Sequence, residues 1–305
     1  MPFIVYSPDY HVDLGPHVFP VEKYRLCYER LIGEGTIVES DVAAPVAATE
    51  DDLLLVHTPG YLARLRRLAA QGWGYLTPDT PISPEILDKS ILVCGGSITA
   101  GRLALRNGVC VHLNGGFHHA SADNGEGFCY LNDVAVAIRR LQVDGEIGRA
   151  AVIDCDLHQG NGTALIFAGD ESVYTFSIHE QGNYPGWKPP SDLDIGLRSG
   201  VRDEEYLAHI RDAVPAILRA FGPDLAVYLA GADPYEHDQL GRLALTMDGL
   251  RRRDEFVLSE ARSRDVPVLV VLAGGYAQRT EDTVEIHCNT VRAAKALLES
   301  HRRGA

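Results

Sequence analysis

The chain has 305 residues, of which 46% are hydrophobic, and it carries a formal net charge of −14. This length and composition suit one large α/β domain that spans residues 1–305. The acidic balance argues against direct binding to nucleic acid, which requires a basic face. No apolar run approaches the roughly 18 residues of a membrane-spanning helix, so we expect no membrane partner.

The cysteines and the N-terminal segment indicate the cellular compartment. Six cysteines lie at positions 27, 94, 110, 129, 155 and 288, and none forms a CxxC pair. Several lie inside apolar runs, where cysteine behaves as a small hydrophobic residue. The segment MPFIVYSPDYH lacks the basic region and long apolar stretch of a signal peptide. We therefore expect a reduced, cytoplasmic protein, and the sequence makes no prediction about its oligomeric state.

Strand-like runs alternate with helical patterns along the whole chain. In chain order, the strand candidates are 3–6 (FIVY), 53–56 (LLLV), 109–113 (VCVHL), 150–155 (AAVIDC), 173–177 (VYTFS), 225–230 (LAVYLA) and 267–273 (PVLVVLA). The helical candidates are 21–33, 59–70, 84–107, 131–143, 159–168, 203–221, 248–264 and 280–301. Nearly continuous apolar strands separated by helices predict a parallel sheet covered on both faces, a three-layer α/β/α arrangement.

Polar and glycine-rich segments follow five of the strand candidates. They are NGGFHHASADNGEGFCYLND after VCVHL, DCDLHQGNG after AAVI, IHEQGNYPG after VYTFS, GADPYEHD after LAVYLA, and GGY after PVLVVLA. In parallel sheets, ligands bind beyond the carboxyl ends of the strands. These segments therefore predict one functional site at that edge of the sheet.

The segment DCDLHQGNG carries the strongest indication of a metal site. Asp154, Asp156 and His158 alternate, and a continuing strand would place them on one face, about 7 Å apart along the chain. Carboxylates and imidazole suit zinc and also accept ferrous iron. A catalytic zinc needs a third protein ligand, and Asp233 in GADP is the candidate. Taken alone, DxDxH also fits a loop with turn-forming aspartates.

Two further motifs suit chemistry beside a metal. His118 and His119 are adjacent in GGFHHAS, and two neighbouring imidazoles suit proton transfer to and from a water. Each imidazole needs a partner that fixes its tautomer, and Asp154 and Asn161 are available for this purpose. Tyr276 follows two glycines after a buried strand, where its hydroxyl could stabilise an oxyanion.

Taken together, GGFHHA, GFCYLND, DCDLHQGNG, FSIH, GADP and LAGGY occur in an order that resembles the zinc-dependent histone deacetylase family. The resemblance covers about residues 5–290, and the chain is most similar to the class IV branch and to bacterial deacetylase-like amidohydrolases. It implies the arginase/deacetylase fold, with about eight strands in the central parallel sheet. It also implies removal of an acyl group from an acyl-lysine peptide or protein, or from a small acyl-amide, in a bacterial cytoplasm.

The resemblance also assigns roles to individual residues. The implied zinc ligands are Asp156, His158 and Asp233. The implied catalytic residues are His118, His119, Asp154, Asn161 and Tyr276, with His119 as the general base and acid. The implied channel residues are Gly127, Phe128, Tyr184 and Gly275. One catalytic zinc is implied, together with a structural potassium ion near Asp154, Asp156, His158, Ser177 and Ile178.

The chain departs from the family pattern at a few positions. Many members carry aspartate where this chain has Asn161, and a neutral amide stabilises an imidazolium less than a carboxylate does. We therefore expect a lower pKa for His119 than an aspartate partner would give. The resemblance offers Asp79 as the candidate for the acid that holds the substrate backbone in some members. It offers Lys23 as the candidate for the basic residue that lines an exit cavity.

Several functions remain open at this level. Acetyl-lysine, longer acyl-lysine and acetylated polyamines are all possible substrates, and a polyamine enzyme would need an acidic gate, for which Glu180 and Glu236 are candidates. An arginase-like ureohydrolase would need two metals and more aspartates than this chain offers. A non-catalytic acyl-lysine binding module is disfavoured because no ligand, His119 or Tyr276 has been lost.

Overall fold

A parallel sheet of eight strands forms the centre of the molecule. The structure, a computed structural model, describes the backbone of residues 1–304 and the side chains of residues 1–299. The strands are β1 (Ile4–Val5), β2 (Val42–Ala43), β3 (Gly74–Thr77), β4 (Thr80–Ile82), β5 (Val109–His112), β6 (Ala150–Asp154), β7 (Val173–Glu180), β8 (Leu193–Leu197), β9 (Leu225–Leu229) and β10 (Val268–Val271). The sheet order is β2-β1-β5-β10-β9-β6-β7-β8, and β3 and β4 form a separate antiparallel pair.

Helices cover both faces of this sheet. They are α1 (Lys23–Gly33), α2 (Glu50–Leu54), α3 (Pro59–Ala69), α4 (Pro84–Asn107), α5 (Asp133–Val143), α6 (Asn161–Ile166), α7 (Asp203–Phe221), α8 (Met247–Arg262) and α9 (Thr280–Gly304). Helices α2 to α6 contact one another as one layer, and α1, α7, α8 and α9 contact one another as the other. The predicted three-layer α/β/α fold with about eight parallel strands is therefore confirmed.

The central strands are buried along their whole length, as expected for a parallel sheet with two covered faces. Every residue of β5, β6, β9 and β10 is buried, and these strands consist mainly of valine, leucine, isoleucine and alanine. Side-chain caps such as Ser83 on α4 and Thr246 on α8 begin the flanking helices where the sequence predicts them. None of the described helices is long and apolar enough to cross a membrane.

The strand predicted at 53–56 is wrong. Leu53 and Leu54 end the short helix α2, which begins with a capping box between Thr49 and Asp52. An apolar run of four residues has no periodicity that distinguishes helix from strand, and the cap decides the conformation here. The sheet instead uses β2 and β8 at its two edges, which the sequence analysis missed. Both edge strands are only partly buried, so their apolar pattern is weak.

Candidate functional site

Five loops leave the same edge of the sheet and meet there. They cover residues 113–132, 155–160, 181–192, 230–246 and 272–279, after β5, β6, β7, β9 and β10 respectively. Because the strands are parallel, the carboxyl ends of all five lie at this edge. The polar motifs predicted to share one site therefore do so.

Asp156, His158 and Asp233 form a compact cluster of possible metal ligands. Each offers one ligand atom, and these atoms lie within 4.8 Å of one another. The His158 Nδ1 atom is 3.1 Å from Asp156 Oδ1 and 3.2 Å from Asp233 Oδ2. All three residues are buried, and Asp233 Oδ2 has no hydrogen-bond partner. Two buried carboxylates so close together are costly, and a divalent cation between them would remove that cost.

Backbone N–H groups orient these carboxylates. The Leu157 N–H donates to Asp233 Oδ1 at 3.0 Å, and the Gly274 N–H donates to Asp156 Oδ2 at 2.8 Å. The other oxygen of each carboxylate, Asp156 Oδ1 and Asp233 Oδ2, lies near His158 Nδ1. Backbone N–H groups therefore help to hold both carboxylates of the cluster in place.

The expectation that a continuing strand aligns Asp154, Asp156 and His158 is wrong, although Asp156 and His158 do form a cluster with Asp233. Strand β6 ends at Asp154, and the next residues form a loop. In this loop the Asp156 N–H donates to Asp154 Oδ1 at 3.0 Å, and the His158 N–H donates to Asp156 Oδ1 at 2.9 Å. The alternative interpretation of DxDxH, a loop with turn-forming aspartates, therefore also applies. The same loop carries the possible ligands Asp156 and His158.

The adjacent histidines have the partners expected for them. The His118 Nδ1 atom is 2.7 Å from Asp154 Oδ2, and the His119 Nδ1 atom is 2.7 Å from Asn161 Oδ1. Both rings are buried, and their centroids are 4.1 Å apart. Because both imidazoles use Nδ1 for these bonds, both Nε2 atoms remain available to the site.

The two histidines differ in their electrostatic surroundings. Burial disfavours the charged ring of His118, but the Asp154 and Asp156 carboxylates outweigh it and raise the pKa of His118 to about 9. Burial and the neighbouring His118 and His158 rings lower the pKa of His119 well below its ordinary value. These surroundings therefore favour the protonated form of His118 and the neutral form of His119.

Tyr276 also lies beside the ligand cluster. Its ring centroid is 6.4 Å from that of His158 and 5.9 Å from that of Phe128. The buried Asp238 carboxylate accepts the Tyr276 N–H at 2.7 Å and the Leu240 N–H at 2.8 Å. Asp238 thus holds the backbone at Tyr276 and at Leu240, two residues of the site, and the sequence analysis missed this role.

Two neighbouring residues beside the site, Gly127 and Phe128, have unusual backbone conformations. Gly127 and Phe128 have φ values of 54° and 68°, in the left-handed region. A Cβ on Gly127 would lie 2.6 Å from His119 Cδ2 and 3.0 Å from Tyr184 Cε1, so only glycine fits there. Phe128 is a non-glycine residue held in a costly conformation, which is common where a structure positions a functional wall.

These walls enclose a channel that ends at the ligand cluster. The channel has a volume of about 190 Å³ and is lined by Asp79, His119, Gly127, Phe128, His158, Asn183, Tyr184, Leu240 and Tyr276. Gly127, Phe128 and Tyr184 lie where the sequence analysis expected them. Gly275 is not among the residues that line the channel, and a Cβ on it would lie 2.8 Å from Thr283 Cγ2 and 2.9 Å from Ala232 Cβ.

The structure adds Leu240 and Asn183 to the channel, and neither was predicted. Leu240 is an apolar residue within a polar loop, which is a signal that the sequence contained. Asn183 is held by its side-chain NH₂ group, which donates to Glu180 Oε2 at 2.7 Å and to the Leu240 carbonyl at 2.8 Å. Asn183 lies in IHEQGNYPG, a segment expected at the site, but no feature of that segment distinguishes it, because its position depends partly on the contact with Leu240, which is distant in sequence.

The remaining predicted residues also lie near the cluster. Ser177 pairs with Asp154 across β6 and β7, and Ile178 follows it in the strand. The Lys23 ammonium is fully buried and donates to the Ala273 carbonyl at 2.8 Å. Burial lowers the pKa of Lys23 to about 8, although Asp233 and Asp156 oppose this change.

Comparisons with known proteins find similarity along most of the chain. The family described as "Histone deacetylase domain" matches residues 17–291. An uncharacterised protein of Picosynechococcus sp. is 39% identical over 299 residues, which cover 96% of this chain and 98% of that protein. Histone deacetylase 2 of Arabidopsis thaliana is 31% identical over 288 residues, which cover 90% of this chain and 74% of that protein.

A solved structure supports the fold independently. The crystal structure of the HDA15 HD domain superposes with a TM-score of 0.82 at 24% identity, over 97% of this chain and 90% of that one. Since the family match spans most of the chain, and relatives above 30% identity cover it almost completely, the chain belongs to the histone deacetylase family of hydrolytic deacetylases.

Proposed function

We propose that the protein is a zinc-dependent amidohydrolase that removes an acetyl or longer acyl group from acyl-lysine in a peptide or protein. One observation carries this proposal: three buried ligand atoms converge at the closed end of a channel, between a histidine pair and a tyrosine. A free amine and a carboxylate would be the products. We further propose that residues 1–305 act as one catalytic domain in a bacterial cytoplasm.

The ligand set fits zinc. Two carboxylate oxygens and one imidazole nitrogen form a three-residue set that leaves a position open, as catalytic zinc sites require. The unpartnered Asp233 Oδ2 atom is the most direct sign that a cation belongs there. Ferrous iron accepts the same ligand types. We also propose a structural potassium ion near Asp154, Asp156, His158, Ser177 and Ile178.

When bound, zinc would supply Lewis acidity toward the amide carbonyl and the attacking water. His119 is placed to accept a proton from that water at Nε2, because its Nδ1 atom is occupied by Asn161. His119 would then deliver the proton to the leaving amine nitrogen. The Tyr276 hydroxyl would donate a hydrogen bond to the oxyanion that forms on the substrate. His118, held by Asp154, would contribute a positive charge beside these steps.

The channel walls favour acyl-lysine over an acetylated polyamine. Phe128 and Tyr184 offer aromatic surfaces that suit the alkyl part of a lysine side chain. Neither candidate for an acidic gate lines the channel. Glu180 is buried and already accepts hydrogen bonds from Ser199 and Asn183, whereas the wall carries the apolar Leu240. We propose that the exposed Asp79, at the channel mouth, accepts a substrate backbone N–H.

The structure gives no support to a two-metal ureohydrolase. Within the described residues, Asp156, His158 and Asp233 make up the one cluster of three or more possible metal ligands. Arginase-like chemistry would need further carboxylates beside this cluster. Release of urea from arginine or agmatine would nevertheless revive that alternative.

A turnover assay tests the proposal. Zinc-loaded protein is presented with acetyl-, trifluoroacetyl- and myristoyl-lysine peptides and with acetylputrescine, together with the Tyr276→Phe, His119→Ala and Asp233→Ala variants. Exposed-residue controls are Tyr75→Phe and Asp88→Ala. Turnover of a peptide that is lost in the three site variants and kept in the controls supports the proposal. Turnover that survives in His119→Ala would contradict the mechanism, and bound zinc without turnover of any lysine peptide would contradict the substrate class.

A further inference from the structure

Glu126 connects to the proposed general base through one amide. The Asn161 side-chain NH₂ group donates to Glu126 Oε1 at 2.6 Å, and Asn161 Oδ1 accepts from His119 Nδ1 at 2.7 Å. Glu126 is half-buried and lies in the loop after β5, while Asn161 is buried at the start of α6. The three side chains therefore form a chain of two hydrogen bonds that ends at the imidazole.

The chemistry of a carboxylate allows only one direction for this chain. An ionised carboxylate accepts hydrogen bonds and cannot donate them, so it selects the NH₂ end of the amide. The carbonyl end of Asn161 must then face His119, and a carbonyl oxygen accepts only. His119 must therefore carry its proton on Nδ1, which leaves the Nε2 lone pair free to accept a proton.

The backbone around Asn161 leaves rotation of the amide as its principal freedom. The Thr163 N–H donates to the His118 carbonyl at 3.0 Å, which ties the start of α6 to the histidine loop. A Cβ on Gly162 would lie 2.3 Å from the Ala120 carbonyl oxygen, so the two segments are in close contact. Without a partner on its outer side, the amide could present either end to His119. An NH₂ group there would favour the tautomer whose Nε2 atom already carries a proton.

We propose that Glu126 is a positioning residue that orients the Asn161 amide and thereby fixes the tautomer of His119. This inference rests on the proposed function, in which His119 is the general base. It also explains how Asn161 can hold His119 where many relatives use an aspartate. An aspartate offers an oxygen to the histidine in either orientation. An asparagine does so in only one, and it needs a second residue to set the orientation of its amide. Glu126 also faces the hydroxyl of the channel residue Tyr184, so it lies next to both Asn161 and the channel wall.

A double-mutant cycle tests the proposal. Glu126→Ala, Asn161→Asp and the double variant are assayed with the zinc-loaded protein on the plateau of the pH profile. Loss of a hydrogen bond to a charged group predicts about a tenfold lower kcat for Glu126→Ala, with KM changed less than about twofold. In the Asn161→Asp background the same substitution should cause no loss, because an aspartate needs no orientation and Glu126 would repel it. Glu126→Gln, whose amide can present either an oxygen or an NH₂ group to Asn161, should lower kcat by less than Glu126→Ala does.

The control is Asp123→Ala, which removes an exposed carboxylate from the same loop. A thermal melt first establishes that each variant is folded, and Glu126→Gln provides the comparison if Glu126→Ala is not. An equal loss of kcat from Glu126→Ala in the wild-type and Asn161→Asp backgrounds would overturn the proposal, as would an unchanged kcat together with an unchanged tautomer of His119.

A spectroscopic measurement separates this proposal from the proposed function. In zinc-loaded protein labelled with ¹⁵N-histidine, the His119 signals should report a proton on Nδ1 in the wild type and a mixture of tautomers in Glu126→Ala. A tautomer that does not change would refute the positioning role, whatever the activity. A changed tautomer with unchanged kcat would support the positioning role and instead contradict the assignment of His119 as the general base.

Discussion

Replacement of Gly274 by alanine should weaken zinc binding without disturbing the fold. Gly274 lies beside the ligand cluster, and its N–H donates to Asp156 Oδ2 at 2.8 Å. Its φ angle is outside the left-handed region, so an alanine backbone fits there. An added Cβ, however, would lie 2.2 Å from Asp233 Oδ2 and 2.6 Å from Asp156 Oδ2. Two of the three proposed ligands must therefore move.

The size of that movement sets the expected loss of affinity. Each carboxylate must shift by about 1 Å to regain an ordinary van der Waals separation. Zinc sites tolerate deviations of only about 0.2 Å in ligand distance. Substitutions that disturb only the partners of the ligands already cost about 10- to 100-fold in metal affinity. We therefore expect the zinc dissociation constant to rise about 100-fold or more, equivalent to about 2.7 kcal/mol.

Competition with a chromogenic chelator measures this dissociation constant directly. Gly182→Ala is the matched control, because a Cβ at Gly182 has no neighbouring atom within 4 Å. Circular dichroism of the metal-free proteins should show the same secondary structure for both variants and the wild type. Unchanged zinc affinity in Gly274→Ala would refute the reasoning, because it would mean that Asp156 and Asp233 do not both bind the metal.

We expect three further outcomes, for variants of Tyr276, Asn161 and Lys89. Tyr276→Phe should lower kcat by about 10²- to 10³-fold while one zinc per chain remains bound; a smaller loss, measured by steady-state kinetics, would argue against its role in oxyanion stabilisation. Asn161→Asp should move the acidic limb of the kcat/KM pH profile upward, because a carboxylate favours the imidazolium of His119 more than an amide does; an unmoved limb would contradict this. Burial and the Lys23 cation lower the pKa of Lys89 to about 7, from an ordinary value of 10.5. Between these pH values the Lys89 side chain is protonated in the unfolded chain but not in the folded chain. The free energy of unfolding should therefore rise with pH, relative to that of Lys89→Met. Denaturant titrations across this range measure it, and the absence of such a rise would contradict the prediction.

Local patterns determined most of the sheet and its helices. Strands β5, β6, β9 and β10 are apolar throughout because both of their faces are buried, and this makes them visible in the sequence. The edge strands β2 and β8 lack this pattern because solvent covers part of them. The run at 53–56 was misassigned because four apolar residues fit either a strand or the end of a helix.

The motifs alone predict which residues gather at the site, since each motif follows a parallel strand and the carboxyl ends of such strands share one edge. They do not predict how these residues meet. Asp156 and His158 are brought to Asp233 by a loop and by backbone N–H groups from other segments, such as that of Gly274. The channel residue Leu240 and the link from Glu126 to Asn161 also depend on loops distant in sequence. Contacts of this kind leave no periodicity in a chain, so they become visible only in the folded molecule.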